Sequence, residues 1–502
     1  MAIDTVSEPQ LATTSDTSGI GGHPSGLTTL FFTEMWERFS YYGMRGLLVL
    51  FLKASIEDGG FAMSAVTATA IYGLYTSSVY LIGLPGGWIA DRILGYRRAV
   101  FLGGIIIAAG HFSMALGWVP TFYAGLVLIV LGTGLLKPNV SAIVGDLYPE
   151  GGARRDAGFS VFYMGINTGA FAGPLLCGYL GENVNWHLGF AAAGVGMVLG
   201  LIQYRLGYGR LGEAGLRQID STEKGRAIRQ LVAGIALVVV IILVFGLLNS
   251  TGTVNLNPKG VAESMGFVIA GLAIFYFGYQ LLFGGFNAVE KKRIMVIFVL
   301  FLAATLFWCG FEQAGSSMNL FAKDYTNRVF FGKLMPASWL QSVNAIMIIA
   351  FAPVFGALWL KLGNRQPSIP AKFALGLIQL GVGFAVIAWA SVYVGDASNP
   401  NKVSAAWLVA TYFFHTTGEL CLSPVGLSAM TKLSPAKLVG QMMGIWFLAT
   451  SFGNLMAGLL AGKMESLGLI QLFSSVAIWT GALGLVLLLI SRPVKRLMGG
   501  VD

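Results

Sequence analysis

A helix needs about 20 apolar residues to cross a ~30 Å hydrocarbon core, and runs of that length recur along almost the whole chain. The first six occupy residues 27–52, 66–90, 99–116, 121–143, 158–180 and 188–206. A polar, charged segment, 207–229, interrupts the series before two further runs at 231–248 and 261–283. Six more follow at 294–317, 340–360, 373–394, 405–430, 439–461 and 469–490. The pattern predicts an all-α membrane protein of about fourteen helices, arranged as six, an inserted pair, and six. The expected organisation is a tail at 1–26, a six-helix bundle at 27–208, a linker and inserted pair at 209–290, a second six-helix bundle at 291–491 and a tail at 492–502.

The loops test this count. With the N-terminus on the cytoplasmic side, 22 of the 32 lysines and arginines fall on that side and seven on the other. Only Arg38, Arg45 and Lys137 lie inside spans. Cytoplasmic loops carry such an excess, so both termini are expected in the cytoplasm and the protein in the inner (plasma) membrane. The inserted pair preserves the orientation, because two crossings return the chain to the same side.

Composition agrees. The chain is 55% hydrophobic and 11% charged, against about 25% charged in a soluble domain. The net charge of +9 therefore reads as topology-setting charge, and no nucleic-acid partner is expected. Cys177, Cys309 and Cys421 lie far apart in apolar stretches, with neither metal nor redox spacing. Residues 1–26 lack the charged start and apolar core of a signal peptide, and a flexible cytoplasmic tail is expected there. The polar segment at 207–229 is too short to fold as an enzyme domain. No nucleophile motif, phosphate loop or metal cluster stands out, so neither an enzyme nor a bound cofactor is expected.

A faint repeat links the two halves. Pro85 to Trp88 and Leu94-Gly95-Tyr96-Arg97, after the second run, echo Pro353 to Trp359 and Leu362-Gly363-Asn364-Arg365 in the later six. Related halves imply a site between them near the bilayer midplane.

Ionisable groups inside spans cost about 2.5–3.5 kcal/mol or more each and tend to be functional. In the first run, Glu34, Glu37, Arg38, Tyr41, Tyr42 and Arg45 fall within an arc of roughly 140° on a helix. That stripe must line a wet cavity or pair inside the bundle. Lys137, next to a kinking Pro138, wants an anion. Glu34 and Glu37 are the candidates, unless the lysine snorkels to the inner face. The second half supplies Glu312 and Glu419, with His415, Glu419 and Ser423 on one helical face.

Glu34-x-x-Glu37-Arg38-Phe39-x-Tyr41-Tyr42 resembles in full the hallmark of the proton-dependent oligopeptide transporter family. Phe162-Tyr163-Met164-Gly165-Ile166-Asn167-Thr168-Gly169 and Gly418-Glu419-Leu420-Cys421-Leu422-Ser423-Pro424-Val425-Gly426 are family-like too. Gly87-Trp88-Ile89-Ala90-Asp91-Arg92-Ile93-Leu94-Gly95-Tyr96-Arg97-Arg98 resembles the loop between helices two and three of the major facilitator superfamily. The resemblance covers nearly the whole chain. It implies the major facilitator fold, proton coupling through Glu34, Glu37, Arg38 and Lys137, and gating by Asp91, Arg97 and Glu419. It places Glu312 at the substrate amino terminus with Asn167 and Asn344 nearby, Glu419 and Ser423 beside them, and Trp308 and Trp446 as pocket aromatics. The second run holds no histidine, so proton handling falls on carboxylates.

The halves are chemically unequal. Arg45 and Lys137, with Tyr41, Tyr42 and Tyr80, face Glu312 and Glu419. A zwitterionic peptide matches that field, and aromatic walls accept many side chains. The expected function is proton-coupled import of di- and tripeptides by alternating access, the alternative being another small solute such as nitrate or a drug-like molecule. Protonation of Glu34 or Glu37 would loosen its hold on Arg38 or Lys137 and free that cation for the substrate carboxylate. The partners expected are small peptides, protons and the lipid bilayer, with no obligate protein partner.

Overall fold

The computed structural model describes residues 16–394 and 401–501. Among the described residues, fourteen long helices form the fold. The first six are α1 (Ser25–Lys53), α2 (Ala65–Leu81), α3 (Tyr96–Ala115), α4 (Val119–Asp146), α5 (Gly152–Asn183) and α6 (Trp186–Leu206). The inserted pair is α7 (Ser221–Ser250) and α8 (Pro258–Phe283). The last six are α9 (Ala288–Phe311), α10 (Ser342–Leu362), α11 (Ile369–Ser391), α12 (Ala406–Leu433), α13 (Val439–Ala461) and α14 (Leu469–Leu489). Each run of the sequence pattern becomes one of these helices.

Eleven of the spans are long and apolar enough to cross a membrane by length and composition. The long helices that fall short in apolarity are α1, α5 and α12, of 29, 32 and 28 residues. They carry the Glu34–Arg45 stripe, Asn167 and Glu419. Those site residues account for part of the polarity that lowers their hydropathy.

Side-chain caps start several helices. Asp220 accepts from the N–H groups of Thr222 and Glu223 at the head of α7. Asn287 and Glu290 form a reciprocal capping box at the head of α9. Two spans are broken. α2 stops at Ile82 ahead of Pro85 and continues as Gly83–Ile89 and a wide turn to Leu94. α9 gives way at Glu312–Gly315 to a tight 3-10 turn, then to a short helix, Ser317–Tyr325. Irregular backbone at membrane depth is tolerated where protein buries it or a cavity meets it, and Glu312 sits at the second break.

Glycine sets how closely helices approach. A Cβ on Gly132 of α4 would stand 2.6 Å from the Gly103 carbonyl of α3, so these two pack backbone to backbone. Gly73 and Gly458 do the same where α2 meets α13 across the two bundles. Ser77 and Ser451 hydrogen-bond across that seam at 2.7 Å. On the other seam, Ser342 Oγ donates to the Phe171 carbonyl of α5 at 2.8 Å, and Trp339 Nε1 to that of Leu175 at 2.9 Å. Both seams lie in the halves of the helices away from the termini. Toward the termini the bundles part.

α8 packs on α2 and α13 through Ala262 and Ile269 against Ala70 and Leu455. α7 buries almost nothing: Ala227 is its one buried residue. Its mean hydropathy of 3.3 over the most apolar window fits a helix surrounded by lipid.

The tail expected at 1–26 is docked from Asp16 onward; its residues 1–15 lie outside the described residues. Asp16 accepts from the N–H and Oγ of Ser25 at 2.8 and 2.9 Å and from Ser18 Oγ at 2.6 Å. Arg154 Nη2 donates to the Asp16 carbonyl at 2.7 Å. A short polar sequence with an aspartate nine residues before Ser25 gives no sign of partners on two helices, Ser25 of α1 and Arg154 of α5.

Candidate functional site

Between the bundles lies a cavity of about 2090 Å³. Small-molecule pockets run to roughly 300–1,000 Å³, so this is a passage rather than a fitted slot. Its deep end is lined by Arg45, Glu312 and Tyr412. Its mouth is lined by Asp91, Arg92, Asp156, Ser368 and Lys495, all on the face that carries the termini. On the opposite face the two seams meet and close it.

Glu34, Arg38, Tyr42 and Arg45 of α1 line this cavity. Glu37 and Tyr41 share their helix but stand behind them, 1% and 2% exposed. Arg38 is held by both acids: its Nε lies 3.0 Å from Glu34 Oε1 and in closer contact with Glu37 Oε2. The Tyr41 ring stands 5.2 Å from its guanidinium. Neither contact of Nε is an aligned hydrogen bond, and Arg38 Nη2 is without a hydrogen-bond partner. The arginine is neutralised yet not fully engaged.

Lys137 also lines the cavity. Its Nζ stands 3.9 Å from the centre of the Tyr80 ring. The sequence argument offered Glu34 or Glu37 as its anion, but neither is ion-paired with it here, because Arg38 lies between the two acids and takes both. The tyrosine face, which carries negative charge density, takes the ammonium instead.

At the deep end, Arg45 Nη1 lies 3.0 Å from Glu312 Oε2 and 3.3 Å from Oε1. The Tyr42 ring flanks Arg45 at 5.0 Å. Tyr72 adds a hydroxyl 3.4 Å from Glu312 Oε2. Sequence reasoning missed Tyr72, which lies in an otherwise plain stretch of α2. Glu312 projects from the break after α9, so the two charges meet where the helix ends.

Glu419, Asn344 and Ser423 stand together on α12 and α10 at the same cavity. Asn344 Nδ2 donates to Glu419 Oε2 at 3.3 Å and to Thr416 Oγ1 at 2.9 Å. Asn167 lines the cavity while its Nδ2 donates to the Tyr163 carbonyl of its own helix at 2.9 Å, which leaves its carbonyl oxygen for a ligand. Trp308 lines the wall with Nε1 unpartnered. Trp446 lines it too, edge-on to Phe373 at 6.3 Å.

The loop motif after α2 is engaged within its own half. Tyr96 Oη donates to Asp91 Oδ1 at 2.7 Å, and Arg217 Nη2 donates to Tyr96 Oη at 2.6 Å. Arg97 is buried, outside the cavity. Its Nε donates to the Ala214 carbonyl at 2.6 Å, its Nη2 to that of Gly212, and its guanidinium lies over Tyr208 at 4.9 Å. With the bundles parted on this face, both groups anchor the linker that leads to α7.

The cysteines are free and buried, as packing residues are. Among the described residues no group of histidine, cysteine, aspartate and glutamate is arranged to hold a metal.

The model of the POT family matches residues 97–470 of the chain. A peptide transporter of Yersinia enterocolitica is 43% identical over 500 residues, with 96% of each chain covered. A di-/tripeptide transporter of Lactococcus lactis is 37% identical, with 96% of this chain and 97% of that one covered. A solved structure of a peptide transporter POT in complex with sulfate superposes with a TM-score of 0.89 at 41% identity, covering 99% of this chain and all of that one.

Proposed function

The chain belongs to the POT family, and from that premise we propose that it imports di- and tripeptides together with protons, by alternating access. It is a membrane transporter and not an enzyme. The observation that carries the reading is the cavity with Arg45 and Lys137 on one wall and Glu312 and Glu419 on the other. A peptide presents a carboxylate and an ammonium a few residues apart, at ~3.3–3.6 Å per residue. Two walls of opposite charge favour short zwitterions. Aromatic surface from Tyr42, Tyr80, Trp308 and Trp446 asks a side chain for area rather than for specific hydrogen bonds.

Charge counting supports a role for protons. Arg38, Arg45 and Lys137 face Glu34, Glu37, Glu312 and Glu419. With every group ionised the set carries one excess negative charge, and one proton balances it. A proton on Glu34 or Glu37 loosens its hold on Arg38, and the freed guanidinium can join Arg45 and Lys137 in holding the substrate carboxylate. One charge moving through ~100 mV yields about 2.3 kcal/mol, roughly fifty-fold accumulation of a neutral solute.

The basic excess on the terminal face supports a cytoplasmic position for that face of a bacterial-type plasma membrane, with the cavity open inward. Asp91 at its mouth, and Glu419 within it, then serve as inner gate groups when the bundles close on that side. Arg97, held by the linker, acts there only if the linker lets go. Protons are the sole coupling species proposed, with no cofactor and no obligate protein partner.

Competition distinguishes peptide from other solutes. Unlabelled dipeptides should suppress uptake of labelled dialanine, whereas nitrate should not. Suppression by nitrate and indifference to dipeptides would move the reading to the alternative substrate class.

A further inference from the structure

On the face opposite the termini, a carboxylate that takes no part in the site above bridges the two halves. Glu182 stands in the last turn of α5, with its side chain 2% exposed. Its Oε2 accepts from the Ala337 N–H at 2.9 Å. Its Oε1 accepts from the N–H and the Oγ of Ser338 at 2.9 and 2.7 Å. Lys323 Nζ lies 3.5 Å from Oε2. Glu182 belongs to the N-terminal bundle, and all of these partners belong to the C-terminal one. Ala337 and Ser338 open the turn Ala337–Gln341 that runs directly into α10. Their N–H groups lie in a first turn, where no helical carbonyl is available to them.

The seat is shaped for this contact. Ser338 is fully buried. A Cβ on Gly178 of α5 would collide with Ser338 Oγ, and one on Gly46 of α1 would lie 3.4 Å from the Ser338 Cβ. Other contacts between the halves here are neutral, as at Trp339 and Ser342, or half-exposed, as Lys53 with Asp324 at 3.7 Å.

We propose that Glu182 is the latch of this closure: a positioning residue whose four contacts hold the outer face shut and are exchanged for water each time it opens to receive substrate. This rests on the alternating-access reading above. A closure that must open needs contacts water can replace. Hydrogen bonds and an ion pair meet that need, because each donor and the carboxylate find water once the halves part. Directional bonds also fix one register of α10 on α5. Removing the carboxylate strands three donors in the closed state and none in the open state, so the balance moves toward open.

The test uses spin labels on Ile56 and Lys333, both exposed on this face, in a full-length background lacking the three native cysteines, reconstituted in lipid. Pulsed dipolar spectroscopy reads the distance distribution. Glu182→Ala should raise the ratio of long to short distances on the order of tenfold. Gly178→Ala should move it the same way by blocking the seat without touching charge, and Glu182→Gln should fall between Glu182→Ala and the parent. Should Glu182→Ala not fold, Glu182→Gln and Lys323→Ala carry the comparison. Distributions identical to the parent in the folded variants overturn the proposal. Transport is scored separately. If distances shift as stated while the parent carries no dialanine, the latch stands and the peptide reading falls.

Discussion

Arg45 Nη1 and Glu312 Oε2 lie 3.0 Å apart, so the groups assigned to opposite ends of a zwitterionic substrate hold each other in this state. Both are buried, and an ion pair taken out of water is sound only while both partners remain. On the proposed reading, a peptide that enters between them would replace one internal pair by two, its carboxylate on Arg45 and its ammonium on Glu312. The same pair joins α1 to the break after α9, so on that reading substrate arrival would also loosen the contact between the halves.

Deleting one partner should therefore be severe. Glu312→Ala leaves a buried guanidinium uncompensated, at a penalty of about 3–5 kcal/mol. Dialanine uptake should fall by well over tenfold. Arg45→Ala should do the same. Parent-like uptake by either protein in reconstituted vesicles would show that the pair is not the substrate site.

Lys137 and Glu37 should separate coupling from passage. Glu37 stands behind Arg38 and outside the cavity, so Glu37→Gln should retain exchange of external for internal peptide yet lose accumulation against a gradient. Lys137→Ala should lose accumulation too. Tyr80→Phe keeps the ring beneath the ammonium and should behave as parent, whereas Tyr80→Leu forfeits a contact of ~0.5–2 kcal/mol. Uphill accumulation by both Glu37→Gln and Lys137→Ala would contradict the coupling scheme.

Much of this was readable in advance because lipid imposes a strict rule: ionisable side chains inside a span need a reason. Glu34, Arg38, Arg45, Lys137, Glu312 and Glu419 stood out for that reason alone, and the structure gathers all six on one cavity. What the residue pattern could not supply was pairing. Helical periodicity put Glu37 on the same stripe as Glu34, but the stripe is wider than the cavity, and Glu37 stays behind it. The engagement of Lys137 with Tyr80 rather than an acid depends on how α2 and α4 are rotated, which no single-helix pattern encodes. Glu182 escaped notice because it lies at the end of a run, where charge is ordinary. Its partners Lys323, Ala337 and Ser338 lie on a distant segment.

The docked N-terminal segment makes a pH prediction. Hydrogen bonds from Ser18 and Ser25 hold the Asp16 carboxyl well below the usual carboxylate range. A lowered value favours docking with the carboxylate charged. That contribution is present above the ordinary value of 3.8 and is lost only as the pH falls below it. Amide exchange at Ser18 and Ser25 should therefore show the same protection at pH 7 and pH 5, after correction for intrinsic rates. Asp16→Asn should speed it at both. A loss of protection between pH 7 and pH 5 in the parent would disagree.

The central claim is that protons drive peptides through the cavity whose deep end is lined by the Arg45–Glu312 pair. The most direct measurement is uptake of labelled dialanine into liposomes holding the purified protein, under an imposed inward proton gradient, with and without an uncoupler. Transient accumulation above the external concentration, abolished by the uncoupler, is the predicted result. Uptake that merely equilibrates and ignores the uncoupler would contradict it.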